Sequence, residues 1–106
     1  MMRSKGIEGI HAGIVRRLSA LFVRGSHAGG ALATAKHFPG HGDTDVDSHV
    51  GLPVVTADWS RMRSTELVPF RAAIDAGADL VMSAHIALPA LEGDSTTPAT
   101  LVPRIM

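Results

Sequence analysis

The chain has 106 residues and no cysteine, balances ten basic against ten acidic side chains, and is 45% hydrophobic. That length allows one compact domain at most, and without cysteine the fold must be held by packing rather than by disulfides. Zero net charge with interspersed signs excludes the basic footprint of a nucleic-acid binder, and no apolar run approaches the roughly 20 residues that span a bilayer.

The amino-terminal stretch is apolar in patches but broken by Arg16 and Arg17, unlike the unbroken hydrophobic run of a signal peptide. It reads as a helix, and a cytoplasmic protein with no membrane partner is the expectation. Ile10, Ile14, Leu18 and Phe22 recur at four-residue spacing beside Val15 and Leu21, with Arg16, Arg17 and Arg24 left for solvent. Gly25 follows the last periodic residue and predicts a left-handed cap there. After Gly29-Gly30, the short apolar run Ala31-Leu32-Ala33-Thr34-Ala35 predicts a buried strand. Phe38 to Pro53 is rich in glycine, aspartate and histidine and predicts a loop. Thr56 and Asp58 suit the cap of a short turn containing Trp59 and Met62. A second helix is expected with Pro69 in its first turn, Phe70, Ala73 and Ile74 on its buried side, and Gly77 at its end. The stretch Asp79-Leu80-Val81-Met82-Ser83-Ala84-His85 reads as a buried strand. Glu92 to Pro98 reads as a loop, and Leu101 to Met106 as the start of another helix.

Helix, strand, long loop, helix, strand: this order argues for α/β architecture with about two parallel strands and flanking helices. It puts Lys36-His37 and Ser83-His85 at the carboxyl ends of the strands, where ligands bind in such folds. Consecutive residues on a strand point to opposite faces, but at a strand end Lys36 and His37 can both turn toward a ligand and donate to vicinal hydroxyls. Asp47 and His49 are one residue apart, so in an extended loop they project the same way. The carboxylate then fixes the imidazole tautomer and raises its basicity, which is an acid/base dyad.

The ordered set KHFPGHGDTDVDSH followed by GLPVV is similar to the signature of bacterial β-N-acetylglucosaminidases of glycoside hydrolase family 3. The resemblance continues through Pro69-Phe70-Arg71-Ala72-Ala73-Ile74, Val81-Met82-Ser83-Ala84-His85-Ile86 and Pro98-Ala99-Thr100-Leu101. It runs from Gly29 to Met106, and the first 25 residues resemble the family least. It implies a segment of a (β/α)8 barrel holding about two of the eight strands. It also implies a retaining hydrolase acting through a covalent glycosyl-enzyme on a terminal β-linked N-acetylglucosamine. On this resemblance Lys36 and His37 bind the sugar, His49 is the acid/base and Asp47 its orienting partner, with no cofactor and no metal. A histidine in the acid/base role departs from the usual pair of carboxylates. The family's nucleophile is an aspartate on a later strand, and no aspartate but Asp94 follows His85 here. The expectation is therefore a family 3 fragment over residues 1–106, inactive by itself.

Other readings stay open on the residues alone. Asp47 and His49 are also common turn formers, and Lys36-His37 suits a surface pair at a strand end. His37, His41, His49 and His85 with Asp43, Asp45 and Asp47 form the donor set of a metal loop, although their spacing matches no zinc signature. His85 is equally a substrate contact or a satisfied core histidine. A β-glucosidase of the same family, or a sugar-binding module without catalysis, is the nearest functional alternative.

Overall fold

The computed structural model describes residues 8–41 and 51–106, with side chains described from Gly13 onward. A long helix, α1 (Glu8–Ala28), leads into strand β1 (Thr34–Phe38). A second helical stretch follows as α2 (Trp59–Arg61), a π-helical turn (Met62–Glu66) and α3 (Leu67–Asp75). It leads into β2 (Leu80–Ser83), a short helix α4 (Pro89–Glu92) and a 3-10 turn (Ala99–Leu101). The two strands pair in parallel, with Thr34 opposite Leu80, Ala35 opposite Val81 and Lys36 opposite Met82. The result is the expected α/β arrangement: a two-stranded parallel sheet with flanking helices, consistent with part of a (β/α)8 barrel.

Each long helix ends in the same way. At α1 the Ala31 amide donates to the Ser26 carbonyl at 2.8 Å and the Gly30 amide to His27 at 3.0 Å. At α3 the Ala78 amide donates to Ala73 and the Gly77 amide to Ile74, each at 2.9 Å. Both are Schellman closures, and they need the left-handed residue that Gly30 (φ 82°) and Gly77 (φ 99°) supply. Gly77 stops its helix as its position predicts. Gly25 does not: α1 runs past it to Ala28, because a glycine inside a helix weakens it without breaking it. β1 accordingly starts at Thr34, later than the apolar run alone indicates.

Pro69 falls in the first turn of α3, as expected, but α3 continues directly from α2 and the π-helical turn rather than starting from a loop. Proline has no amide and its ring crowds the carbonyl four residues back. The chain widens just before it: the Leu67 amide donates to Met62, five residues back, in the π-helical turn. Asp58 caps the start of this stretch, its Oδ1 accepting from the Arg61 amide at 2.8 Å.

The core has two parts. Val23, Ala33 and Ala73 pack where α1, the approach to β1 and α3 meet. A larger cluster of Val55, Met62, Ala84, Ile86, Leu88, Leu91, Ala99 and Ile105 lies below the segment that follows β2. Several burial expectations fail. Of the run 31–35 read as a buried strand Ala33 alone is buried, with Leu32 74% exposed, and Ile14, Leu18 and Phe22 on α1 are exposed. Ile74 is exposed while Phe70 and Ala73 are buried, so the inner face of α3 is narrower than its apolar pattern. β2 is exposed along its whole length, with Leu80, Val81 and Met82 about half accessible. Among the described residues it has one strand neighbour, and α3 packs on β1 and α1.

Asp79 ties the two helix–strand units together. Its Oδ2 accepts from the Ala33 amide at 2.8 Å and lies 2.8 Å from His27 Nε2 at the end of α1. The Ala33 amide first, and then the His27 ring, hold the Asp79 carboxyl below the usual aspartate range. A depressed carboxylate stabilises the fold above the unfolded-state value, and the effect is lost as pH falls through the folded-state value. Acid unfolding followed by circular dichroism should therefore show wild type above Asp79→Asn at neutral pH. The gap should close below the ordinary aspartate range, and a gap independent of pH would contradict this role.

Candidate active site

The carboxyl end of β1 is where the chain changes direction. The parallel register slips between Lys36 and Phe38, so that Phe38 rather than His37 faces Ser83. The Ala84 amide donates to the Phe38 carbonyl at 2.8 Å and holds the strand ends together beyond the slip. The Lys36–His37 and Phe38–Pro39 peptide bonds are both cis. The Phe38 ring meets Phe70 edge to face at 5.4 Å, which seats the strand end on α3. Pro39 and Gly40 are buried behind it.

Lys36, His37 and His41 all line one cleft of about 410 Å³ between α1, β1 and α3. Ser19, Thr34, Thr65 and Glu66 add to its polar lining, and its apolar wall includes Phe22 and Phe70. The rings of His37 and His41 stand at 62° to each other with centroids 6.2 Å apart. Glu66 has a side chain only 7% exposed, and its Oε1 accepts from Arg61 Nη2 at 3.0 Å. The cleft thus offers an ammonium and two imidazoles beside apolar surface, while the Glu66 carboxylate is turned to Arg61. That is a set of directional donors and acceptors suited to a polyhydroxylated ring.

Lys36 and His37 thus line the same cleft. His85 is not among the residues lining that cleft. It is exposed beyond the end of β2, with Nδ1 2.8 Å from Thr100 Oγ1. The Ala99 amide donates to the Ile86 carbonyl at 2.6 Å, so the segment carrying Thr100 is fixed beside His85. Asp47 and His49 lie outside the described residues, as do Asp43 and Asp45. At residues 53–55 the Val55 amide donates to Ala87 and the Ala87 amide to Pro53, each at 2.8 Å.

Glu66, Arg61 and Thr100 escape a reading of the sequence. Each meets its partner through tertiary contact, and neither period nor spacing marks them. Asp94 is engaged in its own turn, accepting at Oδ1 from the amides of Thr96 at 2.9 Å and Thr97 at 2.7 Å. Those amides, Thr96 foremost, hold its carboxyl below the usual aspartate range. Among the described residues no three His, Cys, Asp or Glu side chains are grouped to hold a metal. The metal loop considered above draws most of its donors from outside them. No described helix is long and apolar enough to cross a membrane.

Comparison with known proteins places this geometry in a family. Residues 9–106 match the family described as "Glycosyl hydrolase family 3 N terminal domain", a match that reaches back into α1. A beta-hexosaminidase of Stenotrophomonas maltophilia (strain R551-3) is 47% identical over 76 residues, covering 72% of this chain and 23% of that protein. Beta-hexosaminidase A of Pseudoalteromonas piscicida is 40% identical over 103 residues, covering 88% of this chain and 17% of that protein. The structure of a glycoside hydrolase family 3 beta-N-acetylglucosaminidase from Paenibacillus sp. str. FPU-7 superposes with a TM-score of 0.82 at 48% identity, over 90% of this chain and 18% of that one. The chain thus spans about a quarter or less of the length of these relatives. With the family match running through both strands and every residue of the cleft, the chain belongs to glycosyl hydrolase family 3, as part of its N-terminal domain.

Proposed function

We propose that these residues form the sugar-binding and proton-transfer segment of a retaining β-N-acetylglucosaminidase. One observation carries the reading. Lys36 and His37 share a cleft with His41 at the carboxyl end of β1, and the sequence runs from there directly into Asp47 and His49. The names of the relatives supply the sugar, and parallel-strand folds put ligands at this end of the strand.

In this reading Lys36 and His37 donate to ring hydroxyls and hold the sugar with C1 toward His49. In the first step a family aspartate outside these residues attacks C1 while the bond to the leaving oxygen breaks. His49 gives its proton to that oxygen, with Asp47 holding the imidazole. In the second step water attacks C1, its proton returns to His49, and the aspartate leaves as carboxylate. Of the described carboxylates only Glu66 lines the cleft, and it is bonded to Arg61, while Asp94 is turned to Thr96 and Thr97.

The 106 residues alone are accordingly expected to give no turnover of 4-nitrophenyl N-acetyl-β-glucosaminide. Placed in the Paenibacillus relative in exchange for its matching segment, residues 9–106 should support it, with the corresponding glucoside a poorer substrate. In that chimaera Lys36→Ala should lower kcat/KM by roughly 10- to 100-fold, since it removes a charge-assisted hydrogen bond of about 1.5–3 kcal/mol. Unchanged kcat/KM in Lys36→Ala, or a preference for the glucoside, would count against the proposal.

A further inference from the structure

Gly40 and Glu66 are in unusually close contact. Gly40 has φ 139°, and a Cβ built on it would lie 3.0 Å from Glu66 Cβ and 3.1 Å from its Oε2. Contacts this short are tighter than nine in ten that side-chain Cβ atoms make, and the positive φ disfavours any side chain, so a residue larger than glycine at 40 would strain the turn and press on Glu66. Glu66 cannot easily retreat. Its side chain is 7% exposed, its carboxylate is bonded to Arg61 Nη2 at 3.0 Å, and it sits at the end of the π-helical turn. A buried ion pair contributes little stability over apolar residues of the same volume. Its presence under this glycine therefore calls for a role in geometry.

We propose that Glu66, held by Arg61, is a positioning residue for the acid/base segment. Its side chain forms the floor on which the Gly40 turn rests, and so fixes the direction in which the chain leaves β1 toward Asp47 and His49. His41, the next residue, is set by the same turn beside His37 in the cleft. Glu66 touches no reacting atom in this scheme; it acts through the backbone at Gly40. The inference rests on the proton-transfer reading of His49 given above. A misplacement of about 1 Å at a distance from the chemistry can cost on the order of 100-fold in rate.

A leaving-group test in the chimaera separates positioning from mere structure. Cleavage of a phenyl N-acetyl-β-glucosaminide needs a proton on the departing oxygen, whereas 2,4-dinitrophenolate departs without one. With Glu66→Ala, kcat/KM for the phenyl substrate should fall about 100-fold and that for the dinitrophenyl substrate by no more than about threefold. Glu66→Gln keeps the size of the side chain and an acceptor oxygen for Arg61, and should recover most of the loss. His49→Ala, run in parallel, should show the same leaving-group dependence more steeply.

Equal losses on both substrates in Glu66→Ala would overturn the proposal, since a general structural defect is blind to the leaving group. If His49→Ala shows the dependence and Glu66→Ala does not, positioning fails and proton transfer by His49 stands. If His49→Ala itself shows none, the underlying reading fails. Should Glu66→Ala not fold, Arg61→Ala removes the guanidinium that holds Glu66 against the turn. It carries the same expected pattern, and equal losses there overturn the proposal too.

Discussion

In the chimaera, His49→Ala is expected to lower kcat/KM for unactivated N-acetylglucosaminides by about 100- to 10,000-fold, the usual worth of a placed general acid. The loss should sit in kcat/KM for substrates with poor leaving groups and leave sugar affinity nearly untouched, because Lys36 and His37 still hold the ring. Asp47→Ala should lose less. The imidazole remains, but nothing selects its tautomer or keeps it aimed at the leaving oxygen. Steady-state kinetics across phenyl leaving groups of graded acidity would measure both. A flat dependence in wild type that His49→Ala does not steepen would remove His49 from the chemistry.

The second large effect concerns the fold that carries the cleft. Ile86 is fully buried in the cluster with Val55, Met62, Leu88, Leu91, Ala99 and Ile105, and its carbonyl accepts from the Ala99 amide. Ile86→Ala should cost about 2–5 kcal/mol, as removed methyl groups leave a void that close-packed neighbours fill only in part. Leu80→Ala, on β2, is the matched comparison: Leu80 is 56% exposed, and its loss should fall within about 0.5 kcal/mol. Urea denaturation of the two variants would show the contrast. Equal midpoints would mean that the packing seen below β2 is not what holds the chain.

That contrast also marks where the sequence is legible. The helix–glycine–strand order repeats twice and is plain from period and punctuation, since a helix needs a left-handed residue to stop and a strand follows at once. Gly77 shows this, and Gly30 does the same for α1 where Gly25 misleads. Burial is less legible. Leu80-Val81-Met82 is written for a strand covered on both faces, yet in this chain those side chains meet solvent. An apolar pattern records what a segment can bury and does not name its partner. Ile14, Leu18, Leu21 and Phe22 on α1 are exposed for the same reason.

At the site the division is between motif and contact. Lys36 and His37 are adjacent in a recognisable run, and the structure puts both on one cleft. His85 belongs to a second run, yet its described partner is Thr100, outside that cleft. Glu66 and Gly40 are far apart in sequence and touch because α3 crosses behind the end of β1, a fact that no spacing rule encodes. Pro69 falls between these cases. A proline signals a disturbance in the helix but does not say that it takes the form of a π-helical turn before it.

The most direct measurement is a crystal structure of the chimaera with N-acetylglucosamine bound. Lys36 Nζ and a ring nitrogen of His37 should lie about 2.7–3.2 Å from adjacent hydroxyl oxygens, with the anomeric carbon facing the imidazole of His49. A sugar seated away from the carboxyl end of β1, or one that leaves Lys36 and His37 in water, would contradict the account.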